Sequence, residues 1–134
     1  MKIQDTIKAV EIFHDAFGIK NNYQPTIEIS INDIELRHRL MAEENEEYLE
    51  AAKNGDLVEI ADALGDQLYI LCGTILKHGL QDKIIEVFEE IQRSNMSKLD
   101  ENGKAIYRED GKIMKSELYF RPDIKAILER ERER

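Results

Sequence analysis

Residues 43–66, EENEEYLEAAKNGDLVEIADALGD, carry carboxylates at spacings that can gather around one cation. Drawn as a helix at about 100° per residue, this region splits its glutamates into two sets. Glu44 and Glu47 fall on the arc of Leu36, Leu40, Met41, Tyr48 and Ala51, the face such a helix should bury. Glu46 and Glu50 fall on the opposite arc, open to water, and Glu43 lies on the border. Further on, Glu59, Asp62 and Asp66 share a helical face beside a stripe of Ile60, Leu64, Leu68, Leu71 and Ile75, which is expected to enter the core. An acidic helix is most often only a solvated face. That account covers Glu46 and Glu50 but leaves Glu44 and Glu47 unexplained.

Ionised carboxylates withdrawn from water cost several kcal/mol each unless they are protonated, paired with bases or bound to cations. The bases within reach in the sequence, Arg37, Arg39 and Lys77, are too few for the five carboxylates Glu44, Glu47, Glu59, Asp62 and Asp66. An all-oxygen donor set suits a hard divalent cation, Mg²⁺ or Mn²⁺. His14, His38 and His78 are scattered without zinc-ligand spacing, and surface or capping positions are expected for them.

Two long helices must hold these acids. Apolar residues at three- and four-residue steps predict a first helix over 3–17, stopped by Gly18. Residues 18–33 have no helical period and predict an extended connection, with Asn32 or Asp33 capping a second helix over 34–53. Asn54-Gly55 ends that helix, and Asp56 with Glu59 resembles a capping box for a third helix reaching Leu80. Gly65 and Gly73 interrupt it at about 1 kcal/mol each, a pattern that marks close helix packing. A fourth helix is expected over 81–93, burying Ile84, Phe88 and Ile91. Beyond it the turn signals Asn102-Gly103 and Asp110-Gly111 predict a hairpin of KAIYRE with KIMK, and Pro122 opens a short last helix whose ERERER end frays. The expected fold is all-α: a four- to five-helix bundle with a short C-terminal β-hairpin or loop-rich tail, as one domain over 1–134.

Composition narrows the partners. A chain of 134 residues with 42% hydrophobic content can build one core, and its net charge of -9 opposes unspecific binding to nucleic acid or an anionic membrane. The lone Cys72 lies in an apolar run, where a buried thiol is expected, and it cannot form an internal disulfide. With no apolar signal region at the N-terminus and no 18-residue apolar stretch, a cytoplasmic location is expected. The third helix is apolar around much of its circumference from Leu68 to Leu76, so at least a homodimer is expected.

Glu44-x-x-Glu47 followed after eleven residues by Glu59-x-x-Asp62 resembles the ExxE…ExxD signature of the all-α NTP pyrophosphohydrolases, which include MazG, phosphoribosyl-ATP pyrophosphohydrolase and the dimeric dUTPases. RLMAEENEEYLEAA and ADALGDQLYILCG are similar to the helices of that group, as are FHDAFG and SNMSKLDENGKAIYREDGKIMK to its flanking segments. The resemblance covers most of the chain, and its short gap requires a tight loop between the two helices. It implies a dimeric or tetrameric bundle that hydrolyses an NTP or dNTP, dUTP included, to the monophosphate and pyrophosphate. It further implies that Glu44, Glu47, Glu59 and Asp62 hold Mg²⁺, with Mn²⁺ as a substitute, and that Glu43 orients or deprotonates the attacking water. Asp66, one turn beyond Asp62, would support these ligands or add to them. Asn95, Lys98, Lys112 and Lys115 are candidates for the outer phosphates; for the two later lysines an ordinary surface role is an equal reading. Tyr23, Tyr69 and Phe88 are candidates for base stacking, although aromatics at such spacing are more often core.

Three other readings stay open in the sequence. Phosphoribosyl-ATP pyrophosphohydrolase shares this fold and chemistry, and an acidic helical interaction protein would use the carboxylates only as surface. A di-iron carboxylate bundle calls for Glu-x-x-His pairs, which neither motif supplies.

Overall fold

A computed structural model describes residues 1–130. The first helix, α1 (Ile3–Ala16), follows the predicted spacing and turns Ile7, Val10 and His14 inward. Ser30 then caps α2 (Ile31–Lys53), its hydroxyl accepting the Asp33 N–H at 3.1 Å. The helix therefore begins three residues before the expected position, and Asn32 and Asp33 lie inside its first turn. An aspartate there faces the positive end of the helix dipole. After the short loop 54–56, Asp56 accepts the Glu59 N–H at 3.2 Å and starts α3 (Leu57–Lys77).

The third helix stops short of the expected Leu80 because the connection from α1 to α2 is pinned across its end. Asn22 N–H reaches the Leu76 carbonyl at 2.9 Å, Asn22 Nδ2 the Lys77 carbonyl at 2.6 Å, and Thr26 N–H the His78 carbonyl at 2.9 Å. These bonds satisfy carbonyls that the helix end leaves without partners. At Gly79 the chain turns with φ 65°, and a Cβ there would run into the Gln24 carbonyl.

Both α1 and α2 pack on α3, and Val10, Cys72 and Leu76 form the most deeply buried part of the core. The buried thiol agrees with the sequence reading. The predicted leucine stripe does not: Leu64, Leu68 and Leu71 are 48%, 41% and 49% exposed, while Ala63, Cys72, Gly73, Ile75 and Leu76 point inward. Small residues at 63 and 73 let neighbouring helices approach α3 on that side, which turns the larger leucines out. On α2, likewise, Leu36 and Tyr48 are exposed and Leu40 and Met41 half-buried, whereas Arg37 and Ala51 are buried.

The chain divides into two compact units, Met1–Gln81 and the segment from Asp82 onward. In the second, α4 (Ile84–Met96) starts and ends three residues later than expected, since 81–83 form a turn. Its buried residues are Glu90 and Ser94, while Phe88 and Ile91 of the predicted apolar face are exposed. The inversion has a polar cause. Glu90 accepts the Asp123 N–H at 2.7 Å and a bond from Arg93, and Ser94 donates to the Phe120 carbonyl at 2.8 Å. Strands β1 (Ile106–Tyr107) and β2 (Ile113–Met114) pair antiparallel, Ile106 opposite Met114 and Tyr107 opposite Ile113, as the turn signals predicted. Asp123 caps α5 (Ile124–Glu129) just after Pro122. The last part of the ERERER tail, expected to fray, lies outside the described residues. The fold is all-α with five helices and one small hairpin among the described residues, and none of these helices is long and apolar enough to cross a membrane.

Candidate active site

The loop 54–56 folds α3 back along α2, so residues equally distant from Gly55 face each other. Glu44 lies eleven residues before it and Asp66 eleven after. The bond from Gln67 Nε2 to Asn45 Oδ1 at 3.3 Å joins the two helices next to this level. One carboxylate oxygen from each of Glu44, Glu47 and Asp66 lies within 4.8 Å of the other two. Asp62, one turn before Asp66, adds its charge to both Glu44 and Asp66. Glu59 is outside the group, since it precedes Asp66 by two turns, about 10 Å along the helix.

Glu44 is the half-buried member, and no hydrogen-bond partner reaches its buried Oε2. Burial pushes its carboxyl up to about 7, aided by its hydrogen bond with Glu47 and by the charges of Glu47, Asp66 and Asp62. Asp66 is also raised, first by burial and then by Asp62 and Glu47. The nearest buried bases serve other groups. Arg37 donates to Thr74 Oγ1 and the Ile70 carbonyl, both at 3.1 Å, and Lys77 to the Lys20 carbonyl at 2.9 Å. A divalent cation among these oxygens fits the arrangement. Glu44, Glu47 and Asp66 would hold it through carboxylate oxygens, the donor type that hard divalent cations prefer, and it would give the orphaned Oε2 a partner.

Glu43 is exposed beside Glu44, and Glu46 and Glu50 are exposed as their arc required. Among the aromatic candidates, Tyr23 donates its hydroxyl to Glu11 at 2.8 Å and Phe88 is on α4. Asn95, Lys98, Lys112 and Lys115 belong to the second unit. There Asn95 is exposed at the end of α4, Lys98 is half-buried just after it, and the Lys112 N–H bonds Asp110 in the hairpin turn. Lys115 Nζ stacks 4.7 Å over the Tyr119 ring.

Within the first unit a cavity of about 540 Å³ opens between α1, α2 and α3. Leu40, on its wall, is one turn from Glu44, and Tyr69 and Ile70 are one turn from Asp66. Tyr69 meets Phe13 edge-on at 5.6 Å. His14, also on the wall, is buried, which corrects the surface or capping role expected for it. The signal was in the sequence: Ile7, Val10 and His14 follow one helical stripe. Its Nδ1 lies 2.7 Å from Asn21 Oδ1, and Asn21 Nδ2 donates to Asp15 at 3.2 Å. That chain orients the amide so that Nδ1 carries the proton. Burial lowers the His14 pKa, with the charges of Arg37 and Lys77 acting the same way against the Asn21 bond, so the ring is neutral and Nε2 is an acceptor.

An all-α protein whose two central helices converge carboxylates on an oxygen-donor cation site is the class that fold and site define. Within that class, the family model of phosphoribosyl-ATP pyrophosphohydrolase matches residues 10–95, more than half of the chain, and the chain belongs to this family, part of the MazG-like all-α NTP pyrophosphatase superfamily. No curated protein matches the chain. The family is typically divalent-metal dependent and points to a pyrophosphohydrolase acting on a nucleotide. The matched span contains every carboxylate of the cluster and ends at Asn95, so Lys98, Lys112 and Lys115 lie beyond it.

Proposed function

We propose that this protein is a Mg²⁺-dependent pyrophosphohydrolase that cleaves a nucleoside triphosphate, NTP or dNTP, between its α and β phosphates. The observation that carries the reading is the buried, unpartnered Glu44 Oε2 within the group formed with Glu47 and Asp66. Glu44, Glu47 and Asp66 would hold the cation, with Asp62 adjacent and Glu59 nearer the loop. A cation held there would supply charge neutralisation for the polyphosphate and Lewis acidity for the hydrolysis. Glu43, exposed next to Glu44, accepts the proton as the water oxygen bonds to phosphorus and the monophosphate and pyrophosphate separate. Asn95, Lys98, Lys112 and Lys115 are kept as outer-phosphate candidates on residue chemistry alone.

The matched span crosses from the first unit into the second, which supports a single domain over 1–134. The exposed line of Leu57, Leu64, Leu68 and Leu71 on α3 supports a homodimer or homotetramer. The free, buried Cys72 fits a reducing cytoplasm, and the net charge of -9 fits a protein without nucleic-acid or membrane partners. The family match favours one second reading, phosphoribosyl-ATP as the substrate. Incubation with a panel of NTPs, dNTPs including dUTP, and phosphoribosyl-ATP tests both: pyrophosphate release in Mg²⁺ and none in EDTA is expected. Release from phosphoribosyl-ATP alone would select the second reading.

A further inference from the structure

Two buried cations line the cavity between α1, α2 and α3, and the charge around them is not balanced. Arg37 and Lys77 are 8% and 5% exposed. Arg37 donates only to neutral acceptors, Nε to Thr74 Oγ1 and Nη2 to the Ile70 carbonyl. Lys77 donates to the Lys20 carbonyl and pairs with Asp33 at 3.5 Å, and the same Asp33 charge reaches Arg37. No other carboxylate among the described residues pairs with either base, and the Asp33 side chain is 44% exposed, so water screens it. Two buried positive charges thus face one half-solvated negative charge. One edge of Arg37 is also left over. Nε–H and one Nη2 hydrogen lie along the same side of the planar guanidinium and both are used on α3, so Nη1 is turned away from that helix. Nη1 has no acceptor among the described residues and is not sealed from solvent. Since Arg37 is otherwise buried, the cavity that it lines is where those N–H groups can be met. Phe13 and Tyr69, in edge-on contact, and Leu40 give the same cavity flat apolar walls.

We propose that this cavity binds a small apolar monocarboxylate, with the carboxylate on Arg37 Nη1 beside Lys77 and the apolar body against Phe13, Tyr69 and Leu40. The site goes beyond the pyrophosphohydrolase reading and needs neither metal nor nucleotide. A planar carboxylate suits a planar guanidinium, and a charge-assisted bond there is stronger than one to a neutral acceptor. Charge selects the class of anion. Two bases against Asp33 leave one net positive charge, which a single carboxylate balances. A phosphate monoester, with nearly two negative charges, would leave an excess anion facing the Glu44 group, which begins two turns, about 10 Å, along α2 from Arg37. A neutral ligand of the same shape leaves both buried charges as they are. The cavity volume of about 540 Å³ lies in the range of small-molecule pockets.

The test is ligand-observed NMR titration of the full protein in EDTA, at about pH 7 and low salt, with benzoate, its neutral isostere benzamide, and phenyl phosphate. Benzoate is expected to bind roughly tenfold or more tightly than either of the others, with saturation transfer from aromatic ring protons. Arg37→Gln should equalise benzoate and benzamide. Asp33→Asn, at a solvated position in the first turn of α2, removes the competing anion and should tighten benzoate roughly two- to fivefold, a gain that loss of folding cannot produce. Benzamide bound as tightly as benzoate, no tightening in Asp33→Asn, or no benzoate binding at concentrations on the order of millimolar overturns the proposal. Phenyl phosphate bound more tightly than benzoate overturns it as well. The expected preferences in a protein that releases no pyrophosphate uphold the site and defeat only the catalytic reading.

Discussion

Glu44→Gln removes one charge, nearly keeps the side-chain shape, and should act in opposite directions on the metal-free and metal-loaded protein. Its carboxyl is raised from 4.5 to about 7 in the folded state, so between those values the folded chain holds a proton that the unfolded chain has released. Stability of the metal-free protein therefore falls as pH rises through that window, and the penalty is complete above about 7. Each pKa unit corresponds to about 1.4 kcal/mol, and the exposure of Glu47 and Asp66 to water reduces the total to roughly 1–2 kcal/mol. The neutral amide escapes it. In EDTA at pH 8 the variant should melt roughly 3–8 °C above wild type, and at about pH 4, below the window, the two should nearly coincide. His14, whose pKa is lowered, pulls the pH trend the other way in both proteins, so the difference between them isolates Glu44. With Mg²⁺ at a hundred times its Kd, wild type should gain about 2.7 kcal/mol and the variant much less. Scanning calorimetry at both pH values, with Mg²⁺ and with EDTA, measures all four states. A variant less stable than wild type in EDTA at pH 8, or equally stabilised by Mg²⁺, would refute the assignment of Glu44 as a desolvated ligand.

The other expectations follow from the same geometry. Asp66→Asn should abolish turnover and Mg²⁺ binding, while Glu46→Gln and Glu50→Gln stay within a few-fold of wild type; Glu43→Gln should lower kcat and leave Mg²⁺ titration intact. Gly73→Ala should cost roughly 1–3 kcal/mol in denaturant unfolding, because the new methyl meets both Arg37 and His14. Leu68→Glu, on the exposed line of α3, should reduce the mass seen by light scattering to that of a monomer; a monomeric wild type at micromolar concentration would contradict the oligomer.

Helix identities were legible because each depends on local signals: apolar spacing in α1, Asn54-Gly55 after α2, Asp56 before α3, and Asp110-Gly111 in the hairpin. Helix ends set by distant partners were not. No local signal reports that Asn22 and Thr26 cover the end of α3, and so its stop before Leu80 could not be read. Face assignment failed for a related reason. The hydrophobic period identifies leucines but cannot say that Ala63 and Gly73 admit a closer neighbour than Leu64 and Leu68 do. Within the carboxylate group the arc foretold the half-buried Glu44, but Glu47, expected on the same buried face, is exposed, because Leu36 and Tyr48 of that arc also turn out to water; the place of Asp66 depends on the loop. Counting outward from Gly55 would have paired it with Glu44. Arg37 was read only as a nearby base, since its bonds to Thr74 and Ile70 join residues more than thirty positions apart.

The central claim is tested most directly by ³¹P NMR of the purified protein incubated with dUTP, GTP and phosphoribosyl-ATP, each in Mg²⁺ and in EDTA. The account predicts resonances of pyrophosphate and the nucleoside monophosphate from dUTP or GTP in Mg²⁺, and unchanged triphosphate in EDTA. Orthophosphate with a nucleoside diphosphate as first products, or equal turnover in EDTA, would contradict it.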